Sequence, residues 1–205
     1  MSLLNRREQK ELTKKKIFET SISQFLENGY ENVTINTIVK SLGLSKGAFY
    51  HHFISKEAII IEFYNTMIND LVYELLSTIK TDHELSPVEI FESLFKVFSE
   101  FCFNNQKIIK IILTEPKKIN ISLEDVFINE ISTILLKVLK LIDQEMISEN
   151  VESISRYIST LLYFEIRQIC IQDNPKDKKE IEDMIQNIFY FVSNGAFNLD
   201  HFLNK

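Results

Sequence analysis

The sequence predicts an all-α protein, and three observations support that prediction. The 205 residues include only four glycines and three prolines, too few for the many tight turns of a β-sandwich or barrel. Hydrophobic residues make up 45% of the chain and charged residues 25%, which excludes a disordered polar chain. Apolar residues recur at helical spacing along most of the length, so we expect about nine helices.

The first quarter of the chain predicts three helices joined by tight turns. Apolar residues at helical spacing define the first helix over residues 8–28. The second begins after residue 34, and the third covers Lys46–His52. Glycines provide the helix stop and the sharp turn, and hydroxyl side chains provide the N-caps. We expect Gly29 to end the first helix and Thr34 to cap the second. Gly43 is expected at the turn that follows, and Ser45 to cap the third helix.

From Lys56 onward the sequence predicts long amphipathic helices. Ser55 can cap a fourth helix that keeps one apolar stripe to about Ile79, and Pro87 suits the first turn of the next helix. After Cys102 we expect a separate short segment. The boundaries expected for this segment and for the three long helices after it are Lys107–Leu113, Leu123–Ile147, Val151–Ile171 and Lys179–Leu203.

The charge is divided unevenly along the chain. The whole sequence has a formal net charge of −6, yet residues 1–56 contain nine basic and five acidic side chains. The remaining residues contain fourteen basic and twenty-four acidic side chains. A basic N-terminal quarter on an acidic body predicts that only the first part attracts a polyanion such as DNA.

Cysteines and apolar runs argue against disulfides, metals and membranes. Cys102 and Cys170 stand alone in helical patterns, so we interpret them as small buried side chains in a reducing compartment. The first sixteen residues are charged throughout and do not resemble a secretory signal. The longest uncharged run, 184–199, is too short to cross a bilayer. We expect a cytoplasmic protein with no cofactor, no metal and no membrane contact.

Thr34–Lys56 has the residue pattern of a helix-turn-helix. Phe49 and Phe53, four residues apart, can anchor the third helix to the domain core. The glycines could instead be ordinary turn residues, and Tyr50 could be a core aromatic residue. His51 and His52 point about 100° apart and do not converge on one metal ion. The residues that can reach DNA are small, polar or basic: Ser45, Lys46, Gly47, Ala48, Tyr50, His51, His52 and Lys56.

The same residues resemble the TetR/AcrR family of transcriptional regulators. Residues 25–30 read Phe-Leu-Glu-Asn-Gly-Tyr, and Thr34 follows. Residues 38–53 read Ile-Val-Lys-Ser-Leu-Gly-Leu-Ser-Lys-Gly-Ala-Phe-Tyr-His-His-Phe, and Ser-Lys-Glu occupies 55–57. The match covers about residues 13–60. Where the family commonly has alanine this chain has Val39 and Leu42, and Leu44 replaces valine, all at inward positions.

The resemblance implies a role for individual residues. It implies base-edge and nearby backbone contacts from Ser45, Lys46, Gly47 and Tyr50, and phosphate contacts from Thr34, His51, His52 and Lys56. Which histidine faces phosphate stays open. It also implies a DNA-binding domain at 1–54 and a helical effector-binding and dimerisation domain at 55–205. The function implied is a repressor that binds a palindromic operator as a homodimer and is released by a small, lipophilic or aromatic effector.

The body of the chain offers candidates for both of its implied roles. Large apolar side chains on the middle helices form either a plain core or an apolar pocket; the pocket candidates are Tyr64, Met67, Phe91, Phe95, Phe98, Leu113, Phe127, Ile131, Tyr163 and Arg167. The last two helices are apolar on every face, which favours a second copy as cover. The interface candidates are Leu161, Phe164, Ile188, Phe189, Val192, Gly195 and Ala196. Glu165 and Arg167 can pair with each other, cross the dimer or orient a ligand.

Two other functions remain alternatives. The chain contains no nucleophile elbow, Gly-rich phosphate loop or recognisable carboxylate pair, so we do not expect an enzyme. A helical enzyme or ligand carrier with an incidental helix-turn-helix would bind no DNA selectively. An architectural DNA-binding protein would respond to no small molecule. Binding to palindromic against random duplexes separates these possibilities.

Overall fold

A computed structural model of the chain describes residues 5–81, 87–114, 123–142 and 151–192. These residues form eight helices and no strand, which confirms the all-α prediction for this part of the chain. The helices are α1 (Arg6–Asn28), α2 (Ile35–Ser41), α3 (Lys46–His52), α4 (Lys56–Thr81), α5 (Pro87–Thr114), α6 (Leu123–Ile142), α7 (Val151–Cys170) and α8 (Lys178–Phe191). None of the described helices is long and apolar enough to span a bilayer.

Two compact units share these helices. The first comprises residues 5–66 and 111–114, and the second comprises 67–110, 123–142 and 151–192. In the first unit, α1 packs on α2 and α2 packs on α3. Its fully buried large side chains come from α1, α2, α3 and the start of α4; they are Ile17, Phe25, Ile38, Phe49, Ile59 and Ile60.

The helix ends in the first unit follow the caps expected from the sequence. The N–H of Gly29 donates to the Phe25 carbonyl at 3.1 Å and ends α1. Thr34 caps α2 by accepting from the Thr37 N–H, and Ser45 caps α3 by accepting from the Ala48 N–H at 3.1 Å. Gly43 joins these two helices with a φ of +65°, in the left-handed region that glycine adopts without a steric penalty. The predicted turn chemistry is confirmed.

One boundary prediction in the second unit is wrong. Lys107–Leu113 is not a separate segment, because α5 continues without a break from Pro87 to Thr114. Asn105 does not interrupt it, since its side chain donates to the Phe101 carbonyl one turn earlier. The buried stripe also continues past Cys102 to Ile109 and Ile112, so the same face stays covered. A run without glycine or proline therefore stays helical.

Helices α6 and α7 pack along each other, and α7 packs on α8. Polar contacts tie the turn before α8 to α5: the buried amide of Gln106 donates to the Lys176 carbonyl at 2.9 Å and accepts from the Lys176 N–H at 2.8 Å. Lys110 adds an ion pair with Asp173 at 2.9 Å. The helix ends predicted at 147 and 203 lie outside the described residues.

Both cysteines are free and lie in the second unit, and their burial confirms the prediction of small buried side chains. Burial raises the pKa of the Cys170 thiol to about 12. Burial, with a smaller contribution from Cys170, also raises the pKa of Cys102 well above its usual value. Neither thiol is therefore ionised at neutral pH, as expected for small side chains that pack in a core.

Candidate nucleic-acid interface

The candidate interface is built on α3, a helix of seven residues that two phenylalanines fix to the first unit. Phe49 and Phe53 are buried, and their ring centroids lie 5.9 Å apart. The Phe53 ring also stacks on Phe18 of α1, with centroids 6.5 Å apart. This apolar anchor confirms the inward face predicted for α3 and leaves the opposite face to solvent.

The outward face of α3 carries the residues expected to meet bases. Ser45, Lys46 and Gly47 are exposed at its N-terminal turn. Tyr50 is 53% exposed and touches Phe49 only through an edge-on ring contact, so the alternative of a core tyrosine is wrong. A helix presented in this way offers its N-terminal residues to a groove while its apolar face stays in the domain.

Gly47 has no conformational reason to be glycine. It lacks the positive φ of Gly43, and a Cβ placed on it would meet only the Ser45 hydroxyl oxygen at 3.7 Å, an ordinary contact. Glycine in a helix costs up to about 1 kcal/mol relative to alanine. The fold of this chain therefore tolerates a side chain at position 47, and the contact of Gly47 with DNA stays a prediction.

The two adjacent histidines lie in different environments. His51 is exposed, whereas His52 is half-buried and its Nδ1 atom has no hydrogen-bond partner among the described residues. Their rings meet edge to face with centroids 5.2 Å apart. Burial lowers the pKa of His52, the charges of His51, Lys10 and Lys14 lower it further, and Glu11 opposes them. His51 is thus the more accessible of the pair, and His52 faces the basic side of α1.

Thr34 and Lys56, for which the family resemblance implies phosphate contacts, lie at helix N-termini. Thr34 is exposed, and its hydroxyl accepts from the Thr37 N–H at 3.2 Å. The ammonium of Lys56 points into the first unit and donates to the carbonyls of Tyr30 at 2.7 Å and Val33 at 3.0 Å. Phosphate contacts by these two residues stay predictions.

Tyr30 is a residue whose role the sequence analysis missed. Its ring lies 5.0 Å from that of Phe25, and the Lys56 ammonium sits 3.8 Å from its centroid. Burial alone would raise the pKa of Glu57, but hydrogen bonds from its own N–H, Ser55 and the Tyr30 hydroxyl, together with the Lys56 charge, lower that pKa. The signal was present in the sequence, because an apolar residue directly after a helix-ending glycine packs back on the last turn.

The pocket candidates are mostly core side chains. The buried ones are Tyr64, Met67, Phe91, Phe95, Phe98, Phe127 and Ile131. Leu113 and Tyr163 are half-buried, and Arg167 is exposed. Tyr64 and Leu113 belong to the first unit and the others to the second. Phe127 and Tyr163 bring α6 and α7 together with ring centroids 5.7 Å apart.

Arg167 has Tyr163 as a hydrogen-bond partner one turn earlier on α7. Burial raises the pKa of Tyr163, Glu124 raises it further, and the charge and hydrogen bond of Arg167 oppose both. The sequence left the roles of Glu165 and Arg167 open, and the two side chains differ in exposure: Glu165 is half-buried and Arg167 is exposed.

The interface candidates fall into two groups. Leu161 and Phe164 are exposed on α7, whereas Ile188 and Val192 are buried within the single chain. The side chain of Phe189 and residues Gly195 and Ala196 lie outside the part of the chain that the structure describes. Three further aromatic residues are exposed on α7 and α8: Tyr157, Tyr190 and Phe191.

The fold and this site define a helix-turn-helix protein of the all-α class. Residues 17–63 match the sequence profile described as bacterial regulatory proteins of the tetR family. This domain is therefore similar to the DNA-binding domain of TetR-family regulators, as the motif predicted. Its relatives are regulators rather than enzymes.

Two curated relatives match a longer stretch than the domain itself. The uncharacterised HTH-type regulator YuxN of Bacillus subtilis is 32% identical over 101 residues, 49% of this chain and 34% of YuxN. The icaADBC biofilm operon negative regulator IcaR of Staphylococcus aureus is 31% identical over 91 residues, 44% of this chain and 46% of IcaR. The match thus spans a third to a half of these relatives.

A solved structure shares the fold over nearly the whole chain. The Thermus thermophilus repressor FadR, a TetR-family protein in complex with lauroyl-CoA, superposes with a TM-score of 0.68. The superposition covers 89% of this chain and 94% of that one, at 17% sequence identity. Both units therefore have counterparts in a known all-α regulator fold.

Proposed function

We propose that this chain is a transcriptional repressor that binds double-stranded operator DNA through α3. The observation that carries the proposal is the exposed, small and polar N-terminal turn of α3, held outward by the buried Phe49 and Phe53. Ser45, Lys46, Gly47 and Tyr50 would meet base edges, and Thr34 and His51 would meet phosphates. The negative regulation named for IcaR supports repression.

The repressor would act as a homodimer in the cytoplasm. Tyr157, Leu161 and Phe164 follow one stripe of α7 and are 67%, 38% and 55% exposed. Exposed aromatic residues in one stripe mark a protein interface. A two-fold contact would cover this stripe with its own copy and present two α3 helices to a palindromic operator.

A small, largely apolar effector would release the operator. Phe91, Phe95 and Phe98 line one face of α5 with buried aromatic surface, and FadR was crystallised with an acyl-CoA. Such a ligand would act only through its differential affinity for the DNA-binding and released states. Arg167 is exposed and near Tyr163, so it is available to a polar group at the edge of such a site.

The experiment is a DNA titration with variants of α3. A duplex selected by the wild-type chain from a randomised library is compared with a scrambled duplex at several salt concentrations. Lys46→Ala and Tyr50→Ala should each weaken binding to the selected duplex about tenfold, the value of one lost base contact. Lys96→Ala, which removes an exposed lysine from α5, is the control and should bind as wild type. Wild-type affinity in both α3 variants would contradict the proposal.

A further inference from the structure

The first residue of α4 carries a charge that its own helix does not favour. A cation in the first turn opposes the helix dipole, so Lys56 needs compensating contacts. It obtains them inside the first unit, where two of its three N–H groups go to the Tyr30 and Val33 carbonyls and the Tyr30 ring covers one side. The side chain is therefore committed to the residues between α1 and α2.

Those residues form the turn that sets the start of α2. The Val33 N–H donates back to the Tyr30 carbonyl at 3.3 Å, so that oxygen accepts from both the turn and Lys56. Thr34, the next residue, caps α2 through a reciprocal pair of hydrogen bonds with Thr37. Any shift of this turn moves the first residue of α2 with it.

The connection from α2 to α3 is short and hydrogen-bonded. The Leu44 N–H donates to the Val39 carbonyl at 2.8 Å, and the Gly43 N–H donates to the Lys40 carbonyl at 3.2 Å. The far end of α2 is tied to α1 by the bond from Gln24 Nε2 to Ser41 Oγ at 2.9 Å. A displacement at the start of α2 is thus transmitted to α3, because the short turn between them offers little freedom.

We propose that Lys56 positions the recognition helix α3 by holding the Tyr30–Val33 turn, and that it is not a phosphate ligand. The inference rests on the DNA-binding function proposed above. It gives Lys56 a role in sequence discrimination, since base contacts require α3 at a defined depth and angle, whereas contacts to phosphate alone do not.

Two substitutions separate this role from a phosphate contact. Lys56→Met removes the ammonium and keeps the apolar stem, and Lys56→Gln restores an NH₂ group that can donate two hydrogen bonds without charge. Binding to the selected and scrambled duplexes is measured against salt concentration, well below the melting temperature of each variant. Lys56→Met should weaken binding to the selected duplex about tenfold and leave the scrambled duplex and the salt slope unchanged. Lys56→Gln should lie between Lys56→Met and wild type.

Three results would overturn the inference. If Lys56 binds a phosphate, Lys56→Met should weaken binding to both duplexes and reduce the slope of log affinity against log salt by about 0.9. Unchanged binding to both duplexes would show that the turn does not position α3. Equal losses of affinity for the selected duplex in Lys56→Met and Lys56→Gln would show that Lys56 does not act through its hydrogen bonds. If circular dichroism shows that Lys56→Met is unfolded, the salt slope and duplex discrimination of Lys56→Gln decide.

The proposed function is tested separately in the same series. Lys46→Ala lies on α3 itself and should lose affinity for the selected duplex whatever Lys56 does. If Lys46→Ala binds as wild type, the assignment of α3 fails, even where Lys56→Met lowers discrimination. If the wild-type chain selects no duplex, both proposals fail together.

Discussion

Replacing Gly47 by alanine tests whether its glycine serves the fold or the partner. The added methyl group would meet only the Ser45 hydroxyl oxygen at 3.7 Å. Alanine also restricts the unfolded chain, so Gly47→Ala should stabilise the protein by about 0.4–1 kcal/mol. For a protein of this size, that raises the melting temperature by roughly 1–4 °C. If α3 enters a groove, the same methyl group stands between the helix backbone and DNA, and affinity should fall about tenfold or more.

Gly43→Ala is the matched control, because it adds the same methyl group four residues earlier. Nothing lies within 4 Å of a Cβ at this position, so crowding plays no part. The cost comes from the backbone, since φ is +65° and an alanine there is disfavoured by roughly 1–2 kcal/mol. Gly43→Ala should therefore lower the melting temperature, with the sign opposite to Gly47→Ala.

Differential scanning calorimetry and a fluorescence-anisotropy titration on one selected duplex measure both effects. The distinctive result is a Gly47→Ala protein that is more stable and binds DNA more weakly than wild type. Wild-type DNA affinity in this variant would refute the close approach of α3 to DNA. A destabilised Gly47→Ala protein would refute the local geometry from which the argument starts.

Three further predictions address other parts of the chain. Glu57→Gln should lower the melting temperature at pH 7 by roughly 2–4 °C, the equivalent of about 1 kcal/mol. Because the pKa of Glu57 is lowered in the fold, this difference should begin to shrink as pH falls through the unfolded value of 4.5 and should vanish only below the lower folded pKa, as a pH series of thermal melts would show. Phe164→Glu should yield monomers in sedimentation velocity, whereas Tyr73→Glu, at an exposed aromatic on α4, should not; a monomeric wild type would contradict the interface. Phe95→Trp should abolish the melting-temperature rise caused by apolar effectors and leave DNA affinity intact, and release only by highly charged compounds would contradict the pocket.

The N-terminal helices could be predicted closely because their signals are local. Ser45 and Thr34 cap helices through their own hydroxyl groups, and Gly43 adopts a backbone angle that favours glycine. None of these features depends on distant parts of the chain. The pattern Phe49 and Phe53 also identifies an inward face by spacing alone. These features made both the boundaries of α3 and its exposed face predictable.

The body was predicted less well because its boundaries depend on tertiary contacts. The polar run around Asn104-Asn105 resembles a helix end, but Gln106 is buried and paired with the backbone of Lys176, far away in the sequence. Gln106, which looks like a polar interruption in the sequence, is therefore a buried residue within a continuous helix. Ile188 shows the same limit. Its position in an apolar stripe of α8 could be predicted, but the sequence does not show that this side chain is buried within its own chain.

Lys56 shows the same limit at the candidate interface. Spacing places a cation at the start of α4, and both a DNA phosphate and a backbone carbonyl are suitable acceptors for an ammonium. The choice between them depends on where the Tyr30 and Val33 carbonyls lie, which follows from how α1 ends and not from the residues around Lys56. A carbonyl already in place at 2.7 Å needs no partner molecule to be bound, so the free protein satisfies Lys56 before DNA arrives. A phosphate would have to displace those bonds or use the remaining N–H, and the salt slope of Lys56→Met measures which occurs.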